Sequence, residues 1–155
     1  MNLVRLDIDN NSLADIDLSC LENLTKISLN NNKLTSINLS KLVNLSMISI
    51  NNNQLKDINI NNLTNLREIF LNNNRLEEIG LFNLVNLTKL SLNSNKISSI
   101  DLSHLTSLTT LNLLNNRLKT IDLSSLVNIT HVVLNKNRLT EVNLTNLTSL
   151  CSLCL

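Results

Sequence analysis

The chain has no proline, tryptophan or tyrosine, one glycine and two phenylalanines in 155 residues. With Gly80 alone there is no glycine-rich loop to cradle a phosphate. With no proline and no linker-like stretch, nothing marks a domain boundary, and residues 1–155 read as a single domain. Hydrophobic residues make up 43% of the chain, yet they come in runs of only a few, too short to span a bilayer as a helix. Met1 leads straight into patterned sequence, without the charged, apolar and cleavage regions of a secretory leader, so a cytoplasmic location is expected. A formal charge of +1 lacks the electrostatic footprint of a nucleic-acid binder. Neither nucleic acid nor a membrane is therefore expected as a partner.

Chemistry-bearing groups are equally sparse. The three cysteines, Cys20, Cys151 and Cys154, are an odd set with no matched spacing, which argues against a disulfide framework and fits a reducing compartment. Cys151 and Cys154 have the spacing of a zinc or dithiol pair, but on an extended segment residues three apart point to opposite faces. His104 and His131 lie on different faces and make no metal pair. Asp7 and Asp9 have no histidine, lysine or nucleophilic cysteine beside them and read as solvated carboxylates. No catalytic, cofactor or metal site is expected, and the chain does not read as an enzyme.

What the chain does have is a repeat of 21 residues. Complete copies start at Leu3, Leu24, Leu45, Leu66, Leu87, Leu108 and Ile129, and a partial copy starts at Leu150. Numbering each copy from that residue, positions 1, 4, 6, 11, 14, 16 and 19 are Leu, Ile or Val in every complete copy. Position 9 is always asparagine: Asn11, Asn32, Asn53, Asn74, Asn95, Asn116 and Asn137. In the segment Leu24 to Leu29, alternation puts Ile27 and Leu29 inward and Ser28 outward, so each copy supplies one short half-buried strand. Copies identical in phase stack these strands in parallel, about 4.8 Å apart. The remaining dozen or so residues suit tight turns, extended pieces or a short 3₁₀ turn better than an α-helix. The position-9 amides, with both donor and acceptor capacity, are expected to form an internal ladder that satisfies the buried turn backbone. The asparagines at positions 7 and 8, such as Asn30, Asn31, Asn72 and Asn73, read as solvated rim.

This lettering resembles the leucine-rich-repeat family over nearly the whole chain, and the Asn-Leu-Thr junctions with Ile-Asp-Leu-Ser returns look like its short, bacterial, internalin-like branch. The resemblance implies an α/β-type leucine-rich-repeat solenoid: a curved parallel sheet of seven to eight short strands on the concave side, with turn-rich convex returns and little helix. It also implies a protein partner bound on the concave sheet. No helical or cysteine-bearing cap is evident at either end, where Leu3, Leu6 and Ile8, and Leu150, Leu153 and Leu155, have one neighbouring repeat each. Sequons such as Asn44-Leu45-Ser46 fall out of the repeat itself and are expected to be unmodified.

Against the invariant core columns, the exposed strand columns vary. Position 3 reads Arg5, Lys26, Met47, Glu68, Lys89, Thr110, His131, and position 5 reads Asp7, Ser28, Ser49, Phe70, Ser91, Asn112, Val133. Phe70, with Met47 diagonal to it and Arg67 and Glu68 beside it, has the make-up of a binding hot spot, and Leu114 with His131 and Val133 forms a second patch. Gly80 and Phe82 share the convex return of the fourth copy, where the ring is expected to pack over the gap left by the missing side chain. Lys33, Arg75, Lys96, Arg117 and Arg138 share position 10 and, with Asp57, Glu77, Glu78 and Glu141 nearby, read as a solvated, partly paired ridge. The function expected is protein binding through Met47, Arg67, Glu68, Phe70, Leu114, His131 and Val133. The alternative is a structural solenoid segment that stacks end to end through uncapped ends or forms part of a larger multidomain protein.

Overall fold

The computed structural model describes residues 2–155, and every complete repeat forms one coil of a stack of parallel strands. The strands are three residues each: β1 (Arg5–Asp7), β2 (Lys26–Ser28), β3 (Met47–Ser49), β4 (Glu68–Phe70), β5 (Lys89–Ser91), β6 (Thr110–Asn112), β7 (Thr120–Asp122), β8 (His131–Val133), β9 (Glu141–Asn143) and β10 (Ser152–Cys154). Eight of them make one parallel sheet in the order β1-β2-β3-β4-β5-β6-β8-β10. Its register follows the repeat, pairing Arg5 with Lys26, Met47 with Glu68 and Thr110 with His131. The sheet arises because position 4 is an aliphatic that buries completely, as Ile27, Ile48 and Ile69 do, while positions 3 and 5 face out.

The core is a set of aliphatic columns. In the second coil Leu24, Ile27, Leu29, Leu34, Leu39 and Leu42 are all at or below 1% exposure, and the same columns repeat through the middle of the stack. Position 14 is the looser one: Ile37, Ile79 and Ile100 are only partly buried. The first and last coils, with a neighbour on one side, leave Leu3, Leu6 and Ile8, and Leu150 and Leu153, partly buried.

The returns contain no helix among the described residues. Two successive tight turns carry the chain back, as in the second coil, where the Leu42 N–H donates to the Leu39 carbonyl (2.9 Å) and the Leu45 N–H to the Leu42 carbonyl (3.1 Å). An Asp or Asn at position 15 sets up the first of these turns by accepting the N–H two residues on. Asp17 receives Ser19, Asn38 receives Ser40, Asp101 receives Ser103 and Asp122 receives Ser124. In the sixth and seventh coils the positions just ahead of that turn also pair as a second, two-stranded sheet, β7 with β9, which the repeat pattern did not single out.

Gly80 replaces the position-15 side chain in the fourth coil. Its backbone is not left-handed; the space a side chain would take is used by Asn61 of the preceding coil, whose Oδ1 lies 2.7 Å from where a Cβ would stand. Asn61 thus fills the gap that Phe82 was expected to cover. The Phe82 ring is 60% exposed instead and meets the His104 ring edge-on, with centroids 5.3 Å apart.

Candidate binding face

The asparagine ladder at position 9 fixes the corner between strand and return. Asn74 Nδ2 donates to the carbonyls of Ile50 (2.8 Å), Leu71 (3.2 Å) and Asn72 (3.3 Å), and its Oδ1 accepts the Leu55 N–H (3.0 Å). Asn32, Asn53, Asn95 and Asn116 make the same bonds to their own and the preceding coil, and all are buried. Asn137 keeps the pattern at lower burial, bonding Leu113 and Leu134. Asn11 reaches only carbonyls of its own coil, those of Ile8 and Asp9.

Positions 7 and 8 are more than rim. Each position-8 residue, Asn10, Asn31, Asn52, Asn73, Ser94, Asn115 and Lys136, has a left-handed backbone, with φ between 54° and 60°. None of these residues is glycine, and asparagine, which five of the seven are, tolerates this conformation better than most side chains. Position 7 builds a second ladder across the concave face. Asp9 accepts Ser28 Oγ (2.8 Å), the Asn30 N–H (2.7 Å) and Asn30 Nδ2 (2.9 Å). Asn30 Oδ1 in turn accepts Ser49 Oγ, the Asn51 N–H and Asn51 Nδ2. Asn51 Oδ1 accepts the Asn72 N–H, and Asn72 Oδ1 accepts Ser91 Oγ (2.7 Å) and the Asn93 N–H (2.8 Å). Asp9 is therefore no freely solvated carboxylate. Burial pushes its pKa up, but the bonds from the Asn30 side chain, Ser28 and the Asn30 backbone together outweigh that and hold it below the ordinary value. The signal for this ladder was the coupled Ser-x-Asn of Ser28/Asn30, Ser49/Asn51 and Ser91/Asn93.

Against this polar lattice stand the variable residues. Phe70 sits between Ser49 and Ser91 in the sheet register, and Met47 is one strand over and two residues back. Met47, Phe70, Leu114 and Val133 are half-buried, with part of each side chain open on the concave face, while Arg67 and His131 are exposed. Glu68 is not a free anion, because Lys89 on β5 lies 2.9 Å from it. His131 is oriented by its neighbour: its Nδ1 lies 2.8 Å from the Thr130 hydroxyl, which is also 2.9 Å from the Thr109 carbonyl. The two apolar patches remain separate. Phe70 and Val133 are three strands apart, about 14 Å at ordinary strand spacing.

Elsewhere the surface is plain. Among the described residues the position-10 ridge makes one ion pair, Lys96 with Glu77 at 3.8 Å. All three cysteines are exposed free thiols, and among the described residues no three His, Cys, Asp or Glu side chains gather as metal ligands. No helix among those residues is long and apolar enough to cross a membrane.

Comparison with known proteins agrees with this geometry. The family description "Leucine Rich repeats (2 copies)" matches residues 64–106 and 85–127, and "Leucine Rich Repeat" matches residues 2–24. Comparison with curated protein sequences finds no match. Among solved structures, the leucine-rich effector YopM of Yersinia pestis is similar at a TM-score of 0.84 and 26% identity, over 94% of this chain and 41% of that one. TLR13, solved in complex with ssRNA13, is similar at a TM-score of 0.78 and 26% identity, over 97% of this chain and 24% of that one. The internalin InlF of Listeria monocytogenes is similar at 0.69 and 27% identity, over 88% of this chain and 50% of that one. The chain thus spans half or less of the structures it resembles. With its repeats matched over more than half its length and its coils superposing on such solenoids, the chain belongs to the leucine-rich-repeat family.

Proposed function

We propose that the chain binds another protein through its concave sheet, with Met47, Phe70, Leu114 and Val133 as apolar contacts and Arg67, Glu68 and His131 as polar flanks. The leucine-rich-repeat fold is generally a protein-interaction scaffold, and the observation that carries the reading here is local. Phe70 and Leu114 each take a site where neighbouring coils place a serine or asparagine of the concave ladder, trading inter-coil hydrogen bonds for a partly open apolar side chain. Nothing in the core requires that exchange. Protein is favoured over nucleic acid because Lys89, on the strand next to Phe70, is already paired with Glu68, and the chain's net charge is only +1.

The test is binding of a protein captured with the wild-type chain. Phe70→Ala should weaken it at least tenfold, about 1.4 kcal/mol, while stability stays within about 0.5 kcal/mol. Unchanged affinity in both Phe70→Ala and Leu114→Ser would remove the concave face from consideration.

A further inference from the structure

The concave ladder does not simply end at its apolar interruptions; it leaves polar groups unused there. In the second and third coils the position-7 amide donates to the serine of its own strand, Asn30 Nδ2 to Ser28 Oγ (2.9 Å) and Asn51 Nδ2 to Ser49 Oγ (3.0 Å). In the fourth coil Phe70 stands where that serine would be. Asn72 keeps its Oδ1 bonds to Ser91 and Asn93, which fix the amide plane, but its Nδ2 has no partner among the described residues. One coil on, neither side-chain atom of Asn93 has a partner among the described residues: the Leu114 N–H that would have bonded its Oδ1 turns to Asn112 Oδ1 (3.0 Å), and its Nδ2 makes no bond to Ser91, whose hydroxyl donates to Asn72. Neither amide is sealed from solvent, since no buried side-chain nitrogen or oxygen lacks a partner. Two adjacent coils therefore present, just after β4 and β5, three free hydrogen-bonding atoms, flanked by Phe70 on one side and Leu114 on the other.

We infer that this break in the ladder is a recognition site for an extended apolar peptide segment, whose main-chain N–H and C=O groups pair with the Asn72 and Asn93 amides while its side chains rest on Phe70 and Leu114. The inference rests on the protein-binding reading above and narrows it to a kind of partner. A primary amide displays a donor and an acceptor side by side, which matches the N–H and C=O that one residue of an extended segment directs to the same side. Beside Phe70 on β4 and β5, Glu68 and Lys89 neutralise one another at 2.9 Å, so the sheet there carries no net charge, with the exposed Arg67 just ahead of β4 as the flanking cation. The pattern also explains why the ladder fails on two successive coils instead of one. Phe70 frees the Asn72 donor, and the shift of the Leu114 N–H frees the Asn93 acceptor.

The probe is a displayed library of random short peptides, selected on the wild-type chain after depletion on Phe70→Ser, a variant that removes the apolar contact and installs the serine found at this position in both neighbouring strands. A selected peptide should bind at least tenfold more weakly to Asn93→Ala, whose thermal melt should match the wild type because the lost side chain makes no hydrogen bond in the fold. Methylating one main-chain nitrogen of that peptide should cost a similar factor on the wild type and nothing further on Asn93→Ala, the coupling expected of a direct pair. Equal binding by wild type and Asn93→Ala overturns the inference, as does a selection that yields no peptide after depletion. An oligoadenylate strand that binds with the same dependence on Phe70 and Asn93 overturns it too, assigning the amides to a nucleobase edge. In each of these cases a captured folded partner that still depends on Phe70 leaves the broader protein-binding reading intact.

Discussion

Asn73 and Asn74 are neighbours in the chain with the same side chain, and the structure asks different things of each. Asn74 is chosen for its amide, which bridges buried backbone of two coils; Asn73 is chosen for its backbone, which sits at φ 54°. Replacing Asn74 by either alanine or glycine should cost roughly 1–3 kcal/mol, since both leave buried carbonyls and an N–H without partners. Asn73 should distinguish the two: about 1 kcal/mol lost with alanine, and little or nothing with glycine, which is at ease in the left-handed region. Urea melts of the four variants check this, and equal losses for Asn73→Ala and Asn73→Gly would show that its contact with Asn52 Oδ1 (2.7 Å) matters more than the backbone. Phe82→Ala should leave the melting point close to wild type, because a ring 60% exposed opens no cavity when removed.

Carboxylates bring a pH dependence at the same scale. Asp17 is held low by the Ser19 backbone N–H first and its hydroxyl second, and Asp101 and Asp122 by the hydroxyls of Ser103 and Ser124 first and their N–H groups second. With Asp9, all four have folded-state values below the ordinary 3.8. The unfolded chain therefore takes up protons first as the solution is acidified. The stability these groups supply is complete above 3.8 and is lost as the pH falls through their lower folded values. The urea midpoint should decline in that acid range. Replacing Asp17, Asp101 and Asp122 together by asparagine should make the decline shallower without loss at neutral pH, because Asn38 already does the same work in its own coil. A decline of unchanged slope would assign the acid sensitivity to other carboxylates.

At the scale of the single coil, a strand three residues long has little standing alone, and its stability comes from columns of aliphatics between neighbours. Leu71 is fully buried in the middle of such a column, and Leu71→Ala should cost about 2–5 kcal/mol in a denaturant melt. Strand positions, register, the core columns and the position-9 ladder were all legible in the repeat, because each is a hydropathy or identity constraint recurring in every copy. The concave ladder was not. Hydropathy ranks Asn30 and Asn51 as surface whether they face bulk water or hold one another, and the left-handed turn at Asn73 leaves no mark in hydropathy at all. Phe82 was misplaced for a related reason: the glycine beside it signalled a gap, but the group filling that gap, Asn61, comes from the coil before. The recurrent Asn-Leu-Ser/Thr junction also gains a structural meaning. Asn44 Nδ2 donates to the Glu22 carbonyl (3.1 Å) and Ser46 Oγ to the Thr25 carbonyl (3.0 Å), so both polar residues of that tripeptide are already engaged between coils.

The whole molecule has a direction. In the ladders at positions 2, 7, 8 and 21 the inter-coil side-chain donors of the middle coils point to acceptors in the coil before: Ser46 to Thr25, Asn51 to Asn30, Asn52 to Asn31, Asn65 to Val43; Asn135, which donates forward to the Leu155 carbonyl, is an exception. The stack is therefore polar in the sense that a filament is polar, even though each coil face carries both donors and acceptors, since backbone N–H groups such as those of Ile8 and Leu29 donate forward to the next coil. A front-to-back contact between two copies would continue the parallel sheet and these side-chain ladders in the same sense, and a contact of that kind repeats without closing on itself.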